Sequence, residues 1–219
     1  MDLADRKIPT HEVTYGQLRD MVLTGRLAPG QAVTIQGLIR DLEAGMTPVR
    51  EAIRRLTAEG ALSLHDNRRV TVPNLTPALL DQIAFARLTV EPHIAELAAP
   101  RLSPERIDRL ARIDAEIDRA IEAGDISGYL TGNHRFHFAL YEASGAQVLV
   151  DIAQSLWLRF GPSLRVVCAR YASGRMPDRH IEALAAMRAG DGAALARAIH
   201  SDIGQGLEQV RLALEAGEI

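Results

Sequence analysis

The side chains in this sequence best suited to chemistry are imidazoles and guanidinium groups, and they fall in separate places. His137, His180 and His200 each lie in a stretch whose apolar residues recur every three or four positions, which predicts each on the inner face of its own helix. His137 shares a stripe with Asn133, Leu140 and Ser144. His180 goes with Ala183, Leu184 and Met187, and His200 with Leu195, Ala196, Ile203 and Leu207. Neutral imidazoles meeting in a helical core suit a divalent ion of zinc, nickel or manganese type and leave a position open for water or an anion. Asn133, one turn before His137, adds an amide oxygen. A histidine on an apolar face is equally an ordinary hydrogen-bonded core residue, and spacing alone does not separate the two readings. His134 falls nearer the edge of its stripe and is not counted as a ligand.

The guanidinium groups of interest lie earlier. Arg50, Arg54 and Arg55 follow Thr47 at helical spacing, and Arg68 and Arg69 sit in a polar turn. An arginine near the start of a helix that enters a DNA major groove reaches guanine O6 and N7 with its two-pronged guanidinium, which is the role read for Arg50. Arg54 suits phosphate, Thr47 a phosphate or a thymine methyl, and the turn arginines the minor groove or backbone. The alternative is a solvated face in which Glu51 pairs with Arg54 or Arg55.

These residues need elements to hold them, and the chain is long enough to build two units. Its 219 residues are 47% hydrophobic and 24% charged, which excludes a disordered or fibrous protein. The lone cysteine, Cys168, excludes an intramolecular disulfide and suits a reducing compartment. No run approaches the roughly 18 apolar residues of a membrane span, so a cytoplasmic protein with no membrane partner is expected. Net charge is −3. Residues 1–73 hold 10 basic against 9 acidic residues and residues 74–219 hold 15 against 19, so any nucleic-acid surface must be a local patch.

Helices are predicted at about Thr14–Thr24, Ile35–Glu43 and Thr47–Glu59, the last starting at a Thr47 cap or one or two residues earlier and ending at Gly60. Ala61–Leu64 and Val70–Val72 flank a polar turn and read as a β-hairpin. Two helices joined by the tight link Ala44-Gly45-Met46 and followed by a hairpin are the layout of a winged helix-turn-helix. Pro73 and Pro77 punctuate the chain, with Thr76 capping the next helix. Six helical segments are then expected near 77–99, 104–123, 126–143, 147–171, 177–189 and 191–215, with short connections that fit an antiparallel bundle. The predicted fold is mainly α: residues 1–73 a winged helix-turn-helix DNA-binding domain, 74–76 a linker, and 77–219 an all-α bundle for effector binding and dimerisation.

The run from Tyr15 to Val72 resembles the GntR family of bacterial transcription regulators. The likeness rests on Leu18-Arg19-Asp20-Met21-Val22, Gly25 to Gly30, Thr47-Pro48-Val49-Arg50-Glu51-Ala52-Ile53-Arg54-Arg55-Leu56 and Glu59-Gly60. It implies that Thr47 and Arg50 contact DNA, Arg50 at base edges. Three positions depart from the family pattern: Gly45 and Met46 stand where serine and arginine are common, and Gln36 where helix two often carries arginine. Gln36 retains the ability to hydrogen-bond a base or phosphate.

Arg87-Leu88 through Glu91-Pro92, Asn133 to His137, His180 to Leu184, Arg188 to Asp191 and His200 resemble the FCD effector domain of the FadR-like GntR subfamily. That likeness implies a helical domain that often holds a divalent metal on an aspartate and three histidines, with small organic acids binding at or near it. Asn133 stands at the aspartate position, which either favours an anionic effector through the missing negative charge or weakens the metal site. Arg87 and Arg159 are candidates to hold an effector carboxylate through paired hydrogen bonds. The expected protein is a homodimeric repressor that reads a palindromic operator in double-stranded DNA under control of a small carboxylate metabolite. The alternatives are a metal-dependent enzyme and a metal sensor built on the same three histidines.

Overall fold

Thr34, Thr76, Ser103, Asp125 and Asp191 each start a helix by one device: the side-chain oxygen accepts the backbone N–H three residues on, satisfying a donor that has no partner within the helix. The computed structural model describes residues 9–66, 69–171 and 179–219, without the side chains of 169–171. Its elements are α1 (Thr10–Leu23), β1 (Ala32–Val33), α2 (Ile35–Asp41), α3 (Met46–Ala58), β2 (Ser63–Leu64), β3 (Val70–Thr71), α4 (Pro77–Ala98), α5 (Pro104–Glu122), α6 (Ile126–Glu142), α7 (Gln147–Tyr171), α8 (Arg179–Ala189) and α9 (Gly192–Glu215). Among the described residues no helix is long and apolar enough to cross a membrane.

In the N-terminal unit α1 packs across α3, and Leu18, Val22, Val49 and Leu56 are fully buried between them. The turn from α2 to α3 is tight enough to hold Glu43 at φ +50, a left-handed conformation that a side chain adopts at some cost. Gly60, at φ +76, ends α3 as the sequence predicts.

Two local details differ from the sequence expectation, and a third, the start of α3, falls among the alternatives it allowed. α1 begins at Thr10, four residues early. α3 begins at Met46 with Gly45 at its cap, so Thr47 is already helical. The hairpin gains a third strand: β3 is central in the antiparallel order β1-β3-β2, with Ala32 opposite Thr71 and Val33 opposite Val70. A two-residue strand is too short to leave a period in the sequence.

The C-terminal unit is a bundle in which α4 lies against α9 and α7, α5 against α6 and α8, and α8 against α9. The inner stripe of α4 runs Leu80, Ile83, Arg87, Glu91, Ile94, Ala98, so a charged pair sits in the middle of an otherwise apolar core.

The two units meet along α7. A Cβ on Gly161 would stand 2.8 Å from the Leu23 carbonyl oxygen, so glycine permits this backbone contact. The Ser155 hydroxyl donates to the Glu59 carbonyl at 3.1 Å, and the Arg165 guanidinium donates to the Thr24 carbonyl at 3.3 Å.

Candidate metal centre and DNA-facing helix

α6, α8 and α9 bring His137, His180 and Asp202 together, with one ligand-type atom from each lying within 4.8 Å of the others. His137 Nε2 is 3.0 Å from Asp202 Oδ2, and His180 Nε2 is 3.9 Å from Asp202 Oδ1. Both imidazoles are buried, and the Asp202 side chain keeps 22% exposure.

The outer nitrogen of each ring is already held. His180 Nδ1 lies 2.8 Å from Asp114 Oδ1, and Asp114 is itself buried. His137 Nδ1 lies 3.0 Å from the Tyr141 hydroxyl, which donates to Glu91 Oε2 at 2.7 Å. With its proton committed to Glu91, the Tyr141 oxygen accepts from His137 Nδ1–H. The His137 Nε2 lone pair therefore faces Asp202. That nitrogen is buried and lacks an aligned hydrogen bond despite the short approach of the carboxylate. Two imidazoles, one with its outer nitrogen held by the Asp114 carboxylate and the other by the Tyr141 hydroxyl, with inner nitrogens turned towards Asp202, form a donor set that fits a divalent ion of the zinc, nickel or manganese group. Burial alone would raise the Asp202 carboxyl, but a protonated His137 ring beside it, together with His180 and Arg87, holds it below its ordinary range.

Beside the cluster, Arg87 and Glu91 form a buried pair. Arg87 Nε donates to Glu91 Oε1 at 2.6 Å, and Trp157 Nε1 donates to Oε2 at 2.8 Å. The Arg87 guanidinium lies 4.5 Å from the Trp157 ring centre and 4.9 Å from that of Phe160. Burial, with Glu91 adding to it, pushes the Tyr141 phenol well above its usual range.

This arrangement corrects three expectations for the site. His200 is exposed on α9 and stands outside the cluster, and Asp202, two residues on, supplies the third group. Arg87 lies in the core as expected of an inward residue, but Glu91 occupies its two-pronged face, so it does not present a free fork to a ligand. Arg159 is exposed on the side of α7 away from Trp157, its guanidinium laid over Gly60 of the N-terminal unit and not turned into the bundle core. Asn133 is buried one turn before His137 on α6. Reasoning from the sequence missed Asp114, Tyr141 and Trp157 as partners and treated Glu91 only as part of a likeness.

His134 points elsewhere. Its ring stacks on Phe138 at 4.3 Å, and burial, reinforced by the Arg19 cation, pushes its pKa down to about 3. It is neutral at neutral pH.

On α3 the buried stripe Val49, Ala52, Ile53, Leu56 leaves Thr47, Arg50 and Arg54 together on the exposed side. Arg54 pairs with Glu51 one turn before it, while Arg50 makes no ion pair among the described residues. Gln36 is exposed in the first turn of α2, and Arg69 is exposed at the edge of the wing. Arg68 lies outside the described residues. Arg55 turns back into its own unit, over the Tyr15 ring at 3.6 Å and towards Glu12 and Glu59.

Comparison with known proteins agrees with both halves of this description. Residues 82–205 match the FCD domain, and residues 10–72 match the bacterial regulatory proteins of the gntR family. The chain is 31% identical over 178 residues to the HTH-type transcriptional regulator McbR of Escherichia coli, covering 80% of each chain. It is 27% identical over 151 residues to the uncharacterised HTH-type regulator YdhC of Bacillus subtilis, covering 68% of this chain and 67% of that one. The solved structure of E. coli McbR superimposes with a TM-score of 0.85 at 25% identity, over 95% of this chain and all of the other. The chain therefore belongs to the gntR family of bacterial regulatory proteins, as a transcriptional regulator of the GntR and FCD type and not an enzyme.

Proposed function

We propose that the protein is a homodimeric repressor whose grip on a palindromic operator is set by a small carboxylate metabolite bound at a divalent metal in the helical bundle. Residues 1–73 form the DNA-binding unit, 74–76 the link, and 77–219 the effector and dimerisation unit. Thr47, Arg50 and Arg54 face the major groove, with Arg50 reading base edges and Arg54 exchanging Glu51 for phosphate. Gln36 adds a base or phosphate contact, and Arg68 and Arg69 approach the flanking backbone or minor groove. Occupying an operator excludes other proteins from the same DNA, which is the repressing act.

The observation that supports regulation most strongly is the convergence of His137, His180 and Asp202 with their outer nitrogens pinned. Asn133 joins these three to hold the ion. When bound, the ion would supply an electrophilic anchor for a ligand oxygen. Arg87, tied to Glu91, adds positive potential near Asp202 that favours an anion. The effector changes operator affinity only by as much as it prefers one arrangement of the winged units over another. Phe85 on α4 (75%) and Val148 on α7 (73%) are exposed apolar side chains that a second copy of the bundle would cover.

The test is selection of binding sequences from a random DNA pool by purified full-length protein at fixed, near-physiological salt, with Arg50→Ala in parallel. A palindromic motif obtained with the parent protein and lost with the variant is expected. A motif without twofold symmetry contradicts the dimer, and unchanged specificity in the variant contradicts the role of Arg50.

A further inference from the structure

A cleft of about 370 Å3 lies between α1 of the winged unit and the α5 and α6 pair of the bundle, apart from the metal cluster. Three guanidinium groups border it: Arg19 from α1, Arg109 from α5 and Arg135 from α6. Against them stand the carboxylates of Asp20 and Glu142. Arg19 pairs with its neighbour Asp20 at 3.3 Å and Arg135 with Glu116 at 2.9 Å, both exposed pairs of the kind that contribute about 0–1 kcal/mol. Arg109 makes no ion pair among the described residues. All three are therefore available to an incoming anion at little cost.

The inner walls are apolar, supplied by Leu23, Ile113, Leu130 and Phe138. His134, stacked on Phe138, also lines the cleft, with the Gln154 side chain as its hydrogen-bonding neighbour. The combination of a cationic rim and apolar walls differs from a surface phosphate site, which needs no apolar walls.

We propose that this cleft is a second ligand site, for a carboxylate with an apolar body of aryl or short alkyl type. The carboxylate meets Arg19, Arg109 and Arg135, and the body lies against Leu23, Ile113, Leu130 and Phe138, with His134 at the floor. Because Arg19 and Leu23 belong to the winged unit and the rest to the bundle, one bound molecule ties the two units together. The site does not depend on the metal centre.

Trp157, the sole tryptophan, lies edge-on to His134 with ring centres 5.5 Å apart and reports on the cleft. The experiment titrates full-length protein with benzoate, hexanoate and inorganic phosphate, following tryptophan fluorescence, and repeats each titration by equilibrium dialysis. A saturable response to benzoate or hexanoate and none to phosphate is expected. Arg109→Glu, an exposed change, should weaken that binding at least tenfold, while stripping metal with a chelator leaves it within twofold. Four outcomes overturn the proposal: no saturable binding of either carboxylate, phosphate binding as well as they do, indifference to Arg109→Glu, or loss after chelation. The last would move the carboxylate to the metal cluster and leave the function proposed above intact.

Discussion

His137 gives its Nδ1 proton to the Tyr141 hydroxyl across 3.0 Å, and this one contact decides which imidazole nitrogen faces Asp202. Tyr141 can accept that proton because its own goes to Glu91. Tyr141→Phe removes the acceptor, leaves His137 Nδ1 buried without a partner and takes a donor from Glu91. Destabilisation of about 1–3 kcal/mol is expected in urea unfolding. Metal affinity should also fall by roughly 10–100-fold, the usual effect of losing a group that orients a ligating histidine. A variant that is destabilised but binds metal as before would show that the tyrosine supports the core alone.

His134 sets an acid limit on stability. Its folded pKa, about 3, lies below the ordinary 6.5, so the unfolded chain takes up the proton first. The penalty is absent above pH 6.5, begins as the pH falls through that value, and grows until about pH 3. Between pH 6.5 and 4.5 it amounts to about 2–3 kcal/mol at most. His134→Gln should flatten the fall in urea midpoint over this range relative to the parent protein. Equal slopes in the two proteins would remove His134 as the cause.

Gly161 fixes how the winged unit seats on the bundle. A methyl group there would approach the Leu23 carbonyl to 2.8 Å, and backbone cannot swing aside as a side chain does. Gly161→Ala should part α1 from α7 and cost about 1–3 kcal/mol. The expected signature is faster proteolytic cleavage between residues 73 and 77, with the helical content of the bundle retained. Parental protease resistance would contradict the close seating of the two units.

Much of this architecture was legible in the sequence because long amphipathic helices and their caps carry strong local signals. Thr76, Ser103, Asp125 and Asp191 are where capping chemistry places helix starts, and Gly60 ends α3 where only a left-handed residue fits. The site was less legible. At 3.6 residues per turn, Asp202 lies within about 20° of Leu195 and 60° of Ile199 around α9, whereas His200 is about 140° and 100° away. The period therefore favoured Asp202, but a search for a third imidazole selected His200. Its spacing to Ile203 and Leu207 gave it an apolar stripe of its own, at the margin of the true one. The inward face of Arg87 was readable, but its capture by Glu91 was not, because that depends on Trp157 and Tyr141 arriving from α7 and α6. Arg159 illustrates the same limit, since only the docking of α7 on Gly60 reveals which way it faces.

The most direct test of the account is the metal content and affinity of full-length protein equilibrated in turn with zinc, nickel and manganese, comparing Asp202→Ala with His200→Ala. About one ion per chain is expected for the parent protein and for His200→Ala, with affinity lowered at least tenfold in Asp202→Ala while circular dichroism stays helical. A parent protein that binds none of the three ions, or a site that survives Asp202→Ala and is lost with His200→Ala, would contradict it.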